Sequence, residues 1–394
     1  MLRNIYHRML AWLGAIAYGF PSHGMKVIGV TGTKGKSTTC LMIARIFEAQ
    51  GHSIAMISSL GYKINKEEWP NMTKMTMPGR FQLQKFLARA RRAGVSHVVI
   101  EVTSEGMAQG RLSGIKVDCA VFTNLHKEHI ESHGSFENYK RAKLELFRRT
   151  RNIHVINVED TYVDEFLILA SNMKITYGLT RGDITQKILE LKLKLAGEFN
   201  IINALAAIGT AHAYGLDFLK AKATVESILV VPGRMEYIEA GQPFGIVVDY
   251  AHTPESLEGA YQTLKPKAGR LICVLGAAGG GRDAWKRPVF GEIAERYCDD
   301  VILTNEDPYD ENPEAIMEKI ASGFSKAQNP NFKIQKILDR KEAIQKAIAS
   351  AQAGDTVVIT GKGSETSMAL AGGNLIPWSD RDEVVNAVKH GTAK

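Results

Sequence analysis

The chain lacks any apolar run long enough to cross a bilayer, which argues against a helical membrane protein. It shows no internal repeat and no low-complexity tract, and its composition, 45% hydrophobic and 23% charged, is that of ordinary globular domains. No basic arm is evident; the net charge of +7 reads as spread along the sequence, which suits an enzyme handling anionic phosphates better than a duplex-binding protein. Cysteine is scarce as well. Cys40, Cys119, Cys273 and Cys298 form no CxxC pair and no zinc spacing, and each lies in an apolar stretch. That pattern predicts four buried free thiols in a reducing compartment, hence a cytoplasmic protein.

The first 20 residues imitate a secretory signal, because Arg3 and Arg8 precede a short apolar run ending at Ala15-Ile16-Ala17. Trp12 and Gly14 interrupt that run. Leu2, Ile5, Met9, Trp12, Leu13 and Ile16 keep helical spacing and predict an amphipathic helix packed on the body through that face.

From Met25 onward, Val- and Ile-rich runs alternate with helical patterns: KVIGVT, HVVIEV, CAVFTNL and HVINV, then IVVDY, LICVLG, VILTN and TVVIT. Continuous apolar runs of this kind are the mark of buried parallel strands, whose ligands gather at their carboxyl ends. The turn at Val231-Pro232-Gly233-Arg234 separates a first α/β block from a smaller second one, with a cleft expected between them. Residues 161–200 are too mixed for an element-by-element reading.

The segment GVTGTKGKST, residues 29–38, lies between an apolar strand and a helix reaching to Gly51. In such a loop backbone N–H groups and the helix N-terminus cradle phosphates, Lys36 reaches the terminal phosphates, and the Ser37 hydroxyl can ligate Mg²⁺. The spacing departs from the strict GxxxxGK[ST] because Val30 takes the place of a glycine; the framing glycines are Gly32 and Gly35. A Gly-rich turn without a ligand is the bland alternative. Glu101 closes HVVIEV and His129 follows CAVFTNL. Alone, each would read as a satisfied polar residue, and Lys143, in the helical pattern FENYKRAKLELFRR, as a surface lysine. Beside the phosphate loop, a carboxylate and an imidazole at neighbouring strand ends suggest a Mg²⁺ site for phosphoryl transfer.

TGTKGKST, Glu101 within EVTSEG, FTNLHKEHIESHGSFENYKRAK, GEFNIINA, VPGRME, DYAHTP, GGGRDAWKRP and GKGSE follow one another in the order seen in Mur ligases. From about Met25 to about Arg381 the chain resembles that family, most of all the MurE-type branch that adds the third residue to UDP-N-acetylmuramoyl-dipeptide. The resemblance implies an α/β fold. Residues 1–24 would form an amphipathic extension, 25–232 a P-loop-containing central ATP-binding domain with a parallel-rich sheet, and 233–394 a smaller Rossmann-like domain that binds the amino acid. It implies an ADP-forming amide ligase of peptidoglycan precursor synthesis, working through an acyl phosphate with ATP and two Mg²⁺ ions. Gly32, Thr33, Lys34, Gly35, Lys36, Ser37 and Thr38 would hold the phosphates. Ser37 and Glu101 would bind one Mg²⁺ and His129 a second, with Lys143 joining the metal site as a lysine carbamylated by CO₂. Lys36, Glu101, His129 and Lys143 are thus the implied catalytic set. Asn203, Arg234, Asp249 and His252 would contact the nucleotide, and Thr76, Arg282, Arg287, Asp307, Tyr309, Gly361 and Glu365 the substrates, with Lys362 in the same turn. The implied partners are a nucleotide-sugar peptide and an amino acid, with no nucleic acid and no stable membrane insertion.

Three departures from the family pattern carry expectations. Only some 24 residues precede the stretch that resembles the family, where the family normally has a domain that grips UDP, so UDP would be held by the N-terminal helix or a partner, or the acceptor would differ. The diaminopimelate-specifying DNPR reads Glu306-Asp307-Pro308-Tyr309; a phenol cannot clamp a distal carboxylate as a guanidinium does, which disfavours meso-diaminopimelate, and the acidic Glu306 and Asp307 mildly favour a cationic amino acid. Ser364 and Glu105 stand where the family has histidines. The competing readings are another ligase of the superfamily, like folylpolyglutamate synthetase or the ligase half of cyanophycin synthetase, a plain P-loop ATPase or kinase, and a silent ATP-binding subunit. The silent subunit should have lost Glu101, His129 and Lys143, and it has not.

Overall fold

The computed structural model describes residues 2–128, 130–266, 268–281, 283–324 and 332–391; His129 and Arg282 lie outside the described residues, as do the side chains of 2–5, 7, 8, 390 and 391. The chain divides into two compact units, Met1–Leu229 and Val230–Lys394.

The first unit is built on nine strands: β1 (Lys26–Thr31), β2 (Ile54–Ile57), β3 (Tyr62–Ile64), β4 (Glu67–Trp69), β5 (His97–Glu101), β6 (Cys119–Phe122), β7 (Ile153–Asn157), β8 (Met173–Gly178) and β9 (Ile184–Thr185). Their order is β4-β3-β2-β5-β1-β6-β7-β8-β9. From β2 to β9 in that order all neighbours are parallel, and the β2–β3 and β3–β4 pairings are antiparallel. The apolar runs fall on the central strands, where Val27, Ile28, Val98, Val99, Val121 and Val155 are fully buried, as a sheet covered on both faces requires. β8 breaks the rule that made its neighbours legible: its first four residues are exposed or half-buried, so the stretch carries no continuous apolar run.

The second unit contains β10 (Glu236–Tyr237), β11 (Gly245–Asp249), β12 (Leu271–Leu275), β13 (Asp300–Leu303), β14 (Lys333–Lys336) and β15 (Thr356–Thr360), in the order β10-β11-β15-β12-β13-β14. All pairs are parallel except the β10 edge, and a separate hairpin joins β16 (Ser367–Ala369) to β17 (Leu375–Pro377). All eight runs read from the sequence are strands. β14, KIQK, was silent because all four of its residues are exposed.

Two expectations need correction. Cys273 and Cys298 form a disulfide, while Cys40 and Cys119 are free and buried. Cys273 lies in β12, and Cys298 follows the crossover helix Lys286–Tyr297 that leads to the adjacent strand β13, so the crossover brings Cα atoms 25 positions apart to within 6.2 Å. The inference of a reducing compartment loses two of its four thiols. The second correction concerns the first helix, α1 (Leu2–Ala17), which forms and packs on α3 (Arg80–Arg92), but through its small residues. Ala11 and Ala15 are fully buried, whereas Met9, Trp12, Leu13 and Ile16 are exposed. Gly14 sits against Phe81 and Gln84, and Ala15 against Gly114; the close approach needs small side chains and turns the bulky face outward.

Candidate active site

The carboxyl end of β1 leads through a short loop into α2 (Lys36–Ala49), with Gly35 at the N-cap in the left-handed conformation (φ 79°). Glycine is required at both ends of this loop. A Cβ at Gly32 would lie 1.9 Å from Thr123 Oγ1, and one at Gly35 2.1 Å from Asn203 Oδ1. Having no side chain, Gly35 leaves the first-turn N–H groups of α2 to a ligand, and the helix dipole there favours an anion. Asn203, on the helix Glu198–Ala213, is therefore a backstop to the loop as well as an implied nucleotide contact.

Polar groups from three further strand ends converge here. Asn124, after β6, accepts from Lys34 N at 2.8 Å and Tyr139 shares a 2.9 Å hydrogen bond with Thr33 Oγ1. Lys34 Nζ lies 3.2 Å from Glu128. Ser37 Oγ is 2.8 Å from Ser59 Oγ, and the Ser59 N–H donates to Glu101 Oε2 at 2.9 Å, so Ser37 and the buried Glu101 are joined through one residue. Lys36 donates to Thr33 O at 2.8 Å and Lys143 to Gly32 O at 2.5 Å. Two lysine ammonium positions thus rest on the loop's own carbonyls. Lys143 is buried, and burial first, then the charge of Lys36, hold its amine well below the usual lysine range. Thr38 is buried in the first turn of α2, and Thr76 is half-buried ahead of α3.

Ser59, Asn124, Glu128 and Tyr139 were not singled out from sequence. Asn124 and Glu128 belong to the same FTNLHKEH segment as His129, and Tyr139 lies one helical turn before Lys143, so proximity to recognised residues was the available signal. Ser59 offered none. Among the described residues no three His, Cys, Asp or Glu side chains converge as a ready-made metal cage. Mg²⁺ keeps several waters and takes one or two protein oxygens plus substrate phosphates. Ser37 and Glu101, tied together beside the loop, are hard oxygen donors of the right kind.

In the second unit the remaining residues gather at the carboxyl ends of β11, β13 and β15. Asp249 accepts from Met235 N at 2.6 Å and Ala251 N at 2.8 Å, and Arg234 stacks its guanidinium 4.0 Å over the Tyr250 ring. His252 Nδ1 donates to Tyr250 O at 2.7 Å. Lys362, fully buried, donates to Asp307 Oδ1 at 2.8 Å, Glu365 Oε2 at 2.6 Å and Ser367 O at 2.6 Å. Tyr250 OH donates to Glu365 at 3.3 Å, which joins the two groups. Arg287 is engaged differently: its guanidinium holds Glu311 with both Nη atoms, at 2.9 and 3.2 Å, and donates to Ala278 O. It thereby fixes the glycine-rich loop ahead of it. Tyr309 has positive φ (51°) and packs against Gly280. Glu306, the first residue of the Glu306-Asp307-Pro308-Tyr309 stretch, is buried beside Gly361, where a Cβ would meet its Oε2 at 2.2 Å. Burial pushes its carboxyl up to about 7.

A phosphate loop, a buried lysine above it and an acid-lined second unit are now in place. Residues 30–211 match the Mur ligase middle domain and residues 233–363 the Mur ligase, glutamate ligase domain. The chain is 37% identical over 96% of its length to the UDP-N-acetylmuramyl-tripeptide synthetase of a Roseiflexus species, covering 81% of that protein. The chain belongs to the Mur ligase family. Within it, the UDP-N-acetylmuramoyl-L-alanyl-D-glutamate--2,6-diaminopimelate ligase of Bacillus cereus is 35% identical over 98% of this chain and 83% of its own length. A solved structure of a ligase of that name matches 99% of this chain and 83% of its own at 31% identity, with a TM-score of 0.64. The folylpolyglutamate synthase of Mycobacterium tuberculosis, at 18% identity and a TM-score of 0.71, covers 90% of this chain and 92% of its own; it shares the fold. This Mur ligase is therefore an ATP-dependent, ADP-forming amide ligase of the peptidoglycan-precursor type.

Proposed function

We propose that the chain joins an amino acid to the terminal carboxylate of a UDP-N-acetylmuramoyl dipeptide through an acyl phosphate, and that it works in the cytoplasm. The observation that carries the reading is the loop Gly32–Ser37, with Lys36 and Lys143 seated on its carbonyls and Glu101 tied to Ser37. The α2 N-terminus and Lys36 draw negative charge off the γ-phosphate as the substrate carboxylate attacks phosphorus, because phosphoryl transfer is catalysed mainly by positioning and charge stabilisation. The P–O bond to ADP breaks and the acyl phosphate forms. The neutral amine of the amino acid then attacks the carbonyl carbon, and phosphate leaves. Ser37 and Glu101 would hold Mg²⁺, which supplies charge neutralisation at the phosphates when bound.

Lys143 is the proposed site of carbamylation. Only an unprotonated amine attacks CO₂, giving a carbamate and releasing one proton, and burial shifts Lys143 toward that form. In the second unit, the acidic environment of Asp307, Glu365 and Glu306 around Lys362 supports an amino acid recognised through its ammonium groups. Tyr309 leaves a distal carboxylate without a guanidinium partner, which supports lysine or a similar cationic residue over meso-diaminopimelate.

The chemistry is tested by labelling the acceptor carboxylate with ¹⁸O. Attack by that carboxylate predicts one labelled oxygen in the released phosphate; unlabelled phosphate would show that water, as in a plain ATPase, is the nucleophile.

A further inference from the structure

The outward face of α1 is the most apolar surface of that helix, and it is unusually placed. Tyr6, Met9, Leu13 and Ile16, at spacings of three and four, are 57, 57, 55 and 61% exposed, with Trp12 beside them at 49%. The helix is held by its opposite, small-residue face, and Arg91 of α3 anchors its end by donating to Gly19 O and Tyr18 O. Phe81, half-exposed, lies against Gly14 of α1 and against Tyr18 just after it, and begins a stripe on α3 that continues through Lys85, Arg89 and Arg92. Arg89 also stacks on Trp69 and pairs with Glu67.

Charge follows the same geography. Arg3 and Arg8 on α1, with Arg80, Lys85, Arg89, Arg91 and Arg92 on α3, make seven cations, and neither helix carries an acidic residue. The net charge of the whole chain is +7. The basic excess that reads as spread along the sequence is therefore concentrated on two helices in contact.

We infer that this face docks the protein peripherally on an anionic lipid bilayer. An apolar stripe with Trp and Tyr, bordered by Lys and Arg on two helices that carry no acidic residue of their own, fits a headgroup boundary, where apolar side chains enter the acyl region and cations meet lipid phosphates. A nucleic acid would use the cations and leave Met9, Leu13 and Ile16 in water. A second copy would bring seven like charges onto seven. No helix among the described residues is long and apolar enough to cross a membrane, so the attachment is to the surface.

The test is flotation of the full-length protein with vesicles of phosphatidylcholine, alone or with roughly one third phosphatidylglycerol. We expect binding to the anionic vesicles, at least ~10-fold weaker binding to the neutral ones, and release at high salt. The double variant Leu13→Glu/Ile16→Glu should lose at least ~10-fold in binding, since two apolar side chains no longer enter the bilayer. Lys85→Glu/Arg92→Glu should lose about as much. Both pairs are exposed and lie outside the phosphate loop, so ATP affinity by calorimetry and the melting temperature should be unchanged and report that the variants fold. The inference is overturned if the wild type fails to float with anionic vesicles, if Leu13→Glu/Ile16→Glu floats as well as the wild type, or if sedimentation velocity shows a dimer that this variant dissolves without any vesicle binding. Binding to duplex DNA or RNA that resists Leu13→Glu/Ile16→Glu, with no vesicle binding, would likewise overturn it.

Discussion

The two units solve opposite electrostatic problems. Around the phosphate loop of the first, Lys36 and Lys143 donate to main-chain carbonyls, the amine of Lys143 is pushed toward neutrality, and the N-terminus of α2 faces a glycine with no side chain to cap it. In the second, charges are closely matched: Lys362 bridges Asp307 and Glu365, Arg287 grips Glu311, and Arg340 holds Asp380 through Nε and Nη2 at 2.8 and 2.7 Å. A surface prepared for a polyanion that arrives with its own cations needs spare positive potential. A pocket that selects a zwitterion needs fixed, compensated charges that cannot rearrange to accept the wrong one.

That contrast can be broken at its strongest point first. Lys143→Ala should lower ligase turnover by roughly 10²–10³-fold, the scale of removing one preorganised charge-stabilising group, and bicarbonate should not restore it. Unchanged steady-state turnover would remove Lys143 from the mechanism. Gly35→Ala places a methyl where Asn203 Oδ1 stands and holds alanine at φ 79°. ATP affinity measured by calorimetry should fall by about 10-fold or more, with a loss of about 1–2 kcal/mol in stability from the left-handed backbone alone.

Three further tests bear on the second unit. Tyr309→Arg should raise turnover with meso-diaminopimelate relative to lysine by about tenfold, the value of one bidentate guanidinium–carboxylate pair; an unaltered ratio in a competition assay would detach Tyr309 from amino-acid choice. For Glu306 the carboxyl is raised from its ordinary 4.5 to about 7, so the folded state binds the proton more tightly than the unfolded one. The stabilisation is full below about 4.5 and is lost as pH rises through about 7. Glu306→Gln keeps the neutral form at every pH, so its melting temperature should gain on the wild type between pH 5 and pH 8, by up to about 3 kcal/mol in stability. Parallel melting curves across that range would contradict the placement of the charge. The smallest effect is expected for Ser364→His, which restores the family residue outside the hydrogen-bond cluster of Lys362; kcat should change by less than about threefold.

Most of the fold could be read because parallel strands covered on both faces must be continuously apolar, and eight such runs stood out. β14 could not be, since all four of its residues are exposed, and neither could β8, whose first four residues are exposed or half-buried. The phosphate loop was legible because glycine, lysine and serine have fixed jobs at fixed spacing. Ser59, which ties Ser37 to Glu101, has no such signature: it enters from a different strand end and only the sheet order brings it there. The Cys273–Cys298 pair was hidden for the same reason, being created by a crossover between adjacent strands. For α1 the periodicity was right and its direction wrong, because hydrophobic spacing locates an apolar face without saying whether protein or something else covers it.

The central claim is that phosphoryl transfer in the first unit is coupled to amide formation through the second. It is tested most directly by following phosphate release with ATP, Mg²⁺ and UDP-N-acetylmuramoyl-L-Ala-D-Glu while single amino acids are added in turn. The account predicts sustained turnover only when both the acceptor and one particular amino acid are present, with amide product formed in equal amount to ADP. Phosphate release at the same rate without acceptor and without amino acid would contradict it.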